Sequence, residues 1–301
     1  MTRRFFHPFA MLIICTLLLV GIAQPLPTTA TTSPHEPAAP LVQAANTLGT
    51  VQIEAGWNAT CVINQAGQLY CWGDPSTIPN DLGTVRQVSV SNAHTCAITE
   101  AGSLRCWGGN QYGETTVPGS LGTVNQVSTG GNHTCAITDV GSLYCWGGNW
   151  FGQTDVPTGL GAVRQVSTGW DQTCAVTEAG LLRCWGRSMY GDPINIPSDI
   201  GTVRQVSAGR NHTCAITDAG SLRCWGYSSD GETTVPDSLG VVSQVGAGEY
   251  YTCALTNVGA LYCWGRNAEG QSSVPNTLDT VRQMSVGRDH ICVITEAGTL
   301  H

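Results

Sequence analysis

The chain has 301 residues, with 11% charged side chains, a formal net charge of −8 and 37 glycines. All 13 basic residues are arginine, which excludes a P-loop lysine or a Schiff-base lysine, and the acidic balance argues against a phosphate-neutralising nucleic-acid surface. Fourteen cysteines are too many to stand idle in a reducing compartment.

In chain order, Arg3 and Arg4 form a short basic head and Phe5 to Ala23 is mostly apolar, ending in the small residues Gly21 and Ala23. Residues 1–23 read as a secretory signal peptide, so no membrane span is expected in the mature chain. Residues 24–46, rich in Pro, Thr and Ala with almost no charge, read as a linker. From residue 47 to 301 a repeat takes over. The first cysteine of each unit falls at Cys61, Cys96, Cys135, Cys174, Cys214, Cys253 and Cys292, with spacings of 35, 39, 39, 40, 39 and 39. A clean unit, Gly201 to Pro236, has short apolar or alternating runs separated by glycine-bearing turns and no room for a helix. The expectation is an all-β, seven-bladed propeller of four-stranded blades.

Within a unit, the run ending in small residues (Ser207, Ala208, Gly209) suits the crowded axis and is assigned the innermost strand. H-T-C-A-I-T follows, then a three-residue hairpin loop with glycine in the left-handed position, then L-R-C-W-G. The fourth strand carries a proline in six units (Pro79, Pro118, Pro157, Pro197, Pro236, Pro275), as an edge strand allows. The hairpin register sets Cys135 opposite Cys145, and six disulfides follow: Cys61–Cys71, Cys96–Cys106, Cys135–Cys145, Cys174–Cys184, Cys214–Cys224 and Cys253–Cys263. Nine intervening residues without a second nearby pair do not match zinc spacing. No metal or cofactor is expected.

The run G-x-x-H-T-C-A-[IL]-T-x-x-G-x-L-x-C-W-G-x-N resembles the repeat of the regulator of chromosome condensation family, above all its exported, cysteine-paired bacterial branch. The tail G-[EQ]-T-x-V-P, as at Gly113–Pro118 and Gly231–Pro236, is similar to the propeller-type β-lactamase inhibitor protein. That likeness implies that loops on one face hold a protein partner. Two units depart from the pattern: the first lacks N-x-x-G-[EQ], and the fourth replaces it with Ser188 to Asp192. The seventh unit stops at Leu300-His301, where the others continue with Cys-Trp-Gly. A truncated sequence is expected, with an unsealed ring, Cys292 left without its partner, and Leu41–Leu48 as a possible outer strand for blade seven.

His94, His133, His212 and His290 precede T-C or I-C; they sit on separate blades and are expected to be satisfied by neighbouring backbone rather than to bind metal. The tryptophans of C-W-G (Trp72, Trp107, Trp146, Trp185, Trp225, Trp264) read as inter-blade core. Tyr70, Tyr144 and Tyr262 belong to the same strand, and the other aromatics beyond the leader do not follow the repeat: Trp57, Tyr112, Trp150, Phe151, Trp170, Tyr190, Tyr227, Tyr250 and Tyr251. All nine fall in the G-x-x-H loop or the loop after C-W-G, which open on the same face, and they are expected to form a partner-binding surface. Asp171, Glu249 and Asp289 with Arg187, Arg210 and Arg288 form a mixed polar rim there. No catalytic grouping stands out. The sequence therefore reads as a secreted or cell-envelope, non-enzymatic, monomeric propeller that binds a protein partner. One concrete version is an inhibitor of a secreted enzyme; the alternatives are a module of a larger surface protein or a carbohydrate-binding propeller.

Overall fold

A computed structural model describes residues 49–73, 77–187 and 194–301. The leader, the linker and the Leu41–Leu48 segment lie outside the described residues. All regular structure within them is β. Six units form three-stranded antiparallel sheets whose order follows the sequence, and the seventh contributes a two-stranded sheet. Blade 3 illustrates the plan: an inner strand Val124–Thr129, a middle strand His133–Thr138 and an outer strand Leu143–Gly147.

The inner strand reads V-x-Q-V, and its two valines, Val124 and Val127, are both buried. Residues three apart in a regular strand face opposite ways, yet here the register shifts by one residue between Val124 and Gln126. This bulge, present in every unit, turns both valines toward the same core. It also aims the glutamine at the next blade. Gln126 donates to the Val166 carbonyl at 3.1 Å and accepts from the Val166 amide at 2.9 Å. Gln52, Gln87, Gln165, Gln205 and Gln244 make the same double bond to their neighbours.

Hydrophobic clusters lie between blades. Cys135 and Ile137 of blade 3 pack with Val163, Val166, Ala175 and Trp185 of blade 4. The C-W-G tryptophans fill these seams as expected: Trp107, Trp146, Trp185, Trp225 and Trp264 each sit in a cluster that includes the middle-strand cysteine of the preceding blade, and Trp72 packs on Cys292, Ile294 and Leu300.

Two expectations are corrected. The proline segment forms no fourth strand among the described residues: Thr116-Val117-Pro118 runs outside the ladder. Val117 instead plugs the core beside Cys106 and Trp146, and the Pro118 carbonyl accepts from Leu121 N at 3.1 Å. Proline has no N–H to give a ladder, so apolar burial and a turn do that work. The ring is also not left open by the two-stranded seventh blade. Ser285 Oγ accepts from the Ala55 amide at 2.8 Å, His290 Nε2 meets Thr60 Oγ1 at 2.9 Å, and Arg282 donates to the Thr50 carbonyl. These closing contacts come from inner and middle strands, which blade 7 has. Outer-strand tryptophans pack backward onto the preceding blade, whereas the cluster between blades 6 and 7 is built otherwise. That cluster, built on Tyr251, Cys253, Leu255 and Met284, holds no tryptophan among the described residues.

Candidate functional site

The hairpin fixes the cysteines. Cys135 pairs with Cys145 and Ile137 with Leu143 in the register, and the loop closes on Gly141 at φ 78°, a left-handed conformation suited to glycine. All six cysteine pairs read from the sequence form disulfides, each with Cα atoms 4.1 Å apart. Cys292 lies outside these six and is buried.

The histidines hold blades together, but through a side chain rather than backbone. His133 Nε2 meets Thr173 Oγ1 of the next blade at 2.9 Å, and His94 and His212 meet Thr134 and Thr252 at 2.7 and 2.8 Å. Thr173 gives its only proton to the Gln153 carbonyl at 2.8 Å, so His133 donates to it through Nε2–H. Burial disfavours the imidazolium and holds His133 down to about 3 and His94, His212 and His290 to about 4. In two of the units without histidine another side chain spans the same seam. Gln172 donates to the Gly209 carbonyl at 3.1 Å, and Tyr251 to the His290 carbonyl at 2.7 Å. No group of three or more potential metal ligands occurs among the described residues.

The two aromatic-bearing loops share one face and are bonded to each other. Gly148 N donates to the Asn132 carbonyl, Arg187 N to Asp171, Tyr227 N to Asn211 and Arg266 N to Tyr250. The loop after C-W-G has a repeated internal frame. In blade 3, Asn149 Oδ1 accepts from Thr154 N at 3.0 Å and Gln153 Oε1 from Phe151 N at 2.9 Å. In blade 2, Asn110 and Glu114 hold Thr115 N and Tyr112 N in the same way; in blade 6, Asn267 and Gln271 hold Ser272 N and Glu269 N. Blade 5 repeats it with Ser228 in place of asparagine, and with Glu232 accepting from Asp230 N. The Glu or Gln is buried each time. Sequence reasoning read this N-x-x-G-[EQ] stretch as a family mark and missed its mechanical role; the spacing of Asn and Glu/Gln was the available signal.

This frame presents two residues per loop. Tyr112, Trp150 and Phe151 stand 38%, 56% and 44% exposed, far from the burial aromatic side chains prefer. Tyr112 and Trp150 meet edge-on with centroids 4.3 Å apart, and Arg187 lies 5.9 Å over Phe151.

The inner loops behave differently. Trp57 and Trp170 converge at the axis, with centroids 4.5 Å apart. Arg210 lies over both rings and Arg288 over Trp57. Buried Glu249 ties the two guanidiniums together, bonding Arg288 Nε at 2.7 Å and pairing with Arg210. These groups line a small axial pocket of about 130 Å³. Asp171 has its carboxyl pushed up by burial and pulled back by Arg210.

The nine aromatics therefore separate. Tyr112, Trp150 and Phe151 are exposed as expected; Trp57 and Trp170 are half-buried packing partners; Tyr227 and Tyr250 are half-buried, the latter under Arg266 at 5.6 Å. Tyr251 is corrected outright: it is 0% exposed and belongs to the seam, because its position is the histidine position of its blade. Tyr190 lies outside the described residues.

The family model "Regulator of chromosome condensation (RCC1) repeat" matches residues 50–76, 85–114, 124–153, 163–191, 203–232 and 242–271. The chain belongs to the RCC1 repeat family. Solved structures with a similar fold include human WBSCR16, with TM-score 0.69 and 20% identity, covering 82% of this chain and 87% of that one. Prp20p from Saccharomyces cerevisiae, studied for its binding to Gsp1p and histones, aligns with TM-score 0.68 and 16% identity, covering 81% and 82%. The ectodomain of the Physcomitrella patens receptor kinase CR4 aligns with TM-score 0.62 and 22% identity, covering 77% of this chain and 64% of that one. No curated protein matches the chain. At these identities the RCC1 likeness establishes the fold.

Proposed function

We propose that this RCC1 repeat protein is an exported, non-enzymatic propeller that works as a monomer, needs no cofactor, and holds a protein partner on its aromatic loop face. Inhibition of a secreted enzyme is one concrete form of that activity. The observation that carries the reading is the exposed trio Tyr112, Trp150 and Phe151, held on loops with an internal hydrogen-bonded frame. Rigid aromatic anchors lose little entropy on binding and dominate interface energetics. The six disulfides support an oxidising, extracytoplasmic setting. That Prp20p has protein partners supports a binding role in general and names no partner here.

The test is capture from extracellular proteins by the wild type and by the triple variant Tyr112→Ala/Trp150→Ala/Phe151→Ala, with identification of what is held. A protein held by the wild type and released at least tenfold more readily by the variant is the expected result. Equal capture by both sinks the proposal. Retention of the wild type on insoluble polysaccharide, lost in the variant, would replace it with the carbohydrate-binding reading.

A further inference from the structure

The framed loops present unlike chemistry on opposite sides of the same face. Blades 2 and 3 offer Tyr112, Trp150 and Phe151; blades 5 and 6 offer Asp230 and Glu269 at the matching tip position, both exposed. Tyr112, Phe151, Asp230 and Glu269 are structural equivalents, since each backbone amide is held by the buried Glu or Gln two residues later. The acidic tips differ from Glu249 and Asp289, the carboxylates nearer the axis. Glu249 is taken by Arg210 and Arg288, and Asp289 lies 3.1 Å from Arg288. Among the described residues Asp230 accepts from Ser229 Oγ at 2.9 Å, and neither Asp230 nor Glu269 has an ion pair there. Arg266, three residues before Glu269, lies over the Tyr250 ring.

We infer that the loop face is a two-part docking surface for one folded protein, whose apolar projection meets the aromatic tips while a basic patch meets Asp230 and Glu269. The inference rests on the function proposed above and adds the chemistry of the partner. Charge complementarity argues for the basic patch: two unneutralised carboxylates on a chain of net charge −8 attract cations and repel acidic surfaces. The placement of the tips on four blades argues for a folded partner, because an ordinary interface of about 800 Å² per side spans such a separation. A rim charge of this kind governs encounter more than residence, whereas aromatic anchors govern residence.

The experiment uses binders selected from a display library built on one small rigid scaffold with a randomised face, panned on the wild-type protein at about 0.15 M salt. They are assayed on the wild type, on the aromatic triple variant and on Asp230→Asn/Glu269→Gln. The expected binders carry Lys or Arg beside an apolar side chain. Against Asp230→Asn/Glu269→Gln they should associate about three- to tenfold more slowly, with a flattened dependence of affinity on salt. Against the aromatic variant they should dissociate at least tenfold faster. Binders that need the aromatic tips yet keep their rate and salt dependence on Asp230→Asn/Glu269→Gln overturn the two-part surface and leave the proposed function standing. Binders indifferent to the aromatic tips overturn both. Both variants change exposed tips only, so an unshifted thermal midpoint verifies folding in each case.

Discussion

The seams between blades and the tips of the loops are built by opposite rules. Seam after seam uses the same parts: a glutamine clasping the next inner strand, and a histidine reaching the next blade's threonine. Blade 6 puts Tyr251 in the histidine position and still crosses the seam. At the tips the frame is constant while the presented residues run from Trp150-Phe151 to Ser229-Asp230. The lesson is that repetition marks what holds the ring, and variation on a repeated frame marks what the ring displays. Counting aromatics alone could not make that distinction, which is why Tyr251 was first placed among the displayed residues.

Acid should strain every histidine seam at once and give the largest effect. The four histidines have folded pKa values near 3 to 4, below the ordinary value of about 6.5. Their stabilisation is complete above about pH 6.5 and is lost as pH falls toward 4, because the unfolded chain takes up protons that the folded chain refuses. By pH 4.5 this amounts to roughly 2–3 kcal/mol for each histidine. Glu54 works the other way: burial raises it to about 8, so its contribution is present below about 4.5 and fades toward 8. Burial also pushes up the carboxyls of Asp171, Glu232 and Asp289, so carboxyls offset part of the loss while the four imidazoles set the net fall toward acid. A thermal midpoint unchanged between pH 7 and 4.5 would contradict the neutral-histidine seams.

A single seam is broken by His133→Ala, which removes the bond to Thr173 and leaves a cavity; about 2–4 kcal/mol is expected, read from denaturant unfolding. Removing one disulfide with Cys135→Ser/Cys145→Ser should cost about 2–3 kcal/mol by the chain-entropy account, and reducing agent should then shift the variant less than the wild type. At the axis, Glu249→Gln leaves Arg210 and Arg288 without their shared carboxylate. A loss of about 1–3 kcal/mol is expected, together with a change in tryptophan fluorescence as the guanidiniums move from Trp57 and Trp170. The smallest effect sharpens the comparison most. Tyr112→Ala or Asp230→Asn should stay within about 0.5 kcal/mol of the wild type. A tip substitution as costly as His133→Ala would erase the distinction between seam and display.

Much of the ring was legible in the primary structure because its parts are local. Hairpin register follows from turn chemistry a few residues away, so the cysteine pairs, the left-handed glycines and the three paired strands could be read directly. The proline segment was misread because proline on an edge strand and proline in a core-plugging turn look alike until the neighbouring side chains are in place. Which aromatics face solvent was equally out of reach. Trp57 and Trp170 lie more than a hundred residues apart and meet only because the ring brings blades 1 and 4 to one axis. By itself the sequence determined the blade, its disulfide staple and the face on which the aromatic loops open, all set by contacts within a single repeat. Tertiary structure decided that the two-stranded seventh blade still joins the first, that Tyr251 is buried in a seam, and that Tyr112, Trp150 and Phe151 remain outside. Those outcomes depend on what one repeat meets in the next, and packing between distant segments has no local signature.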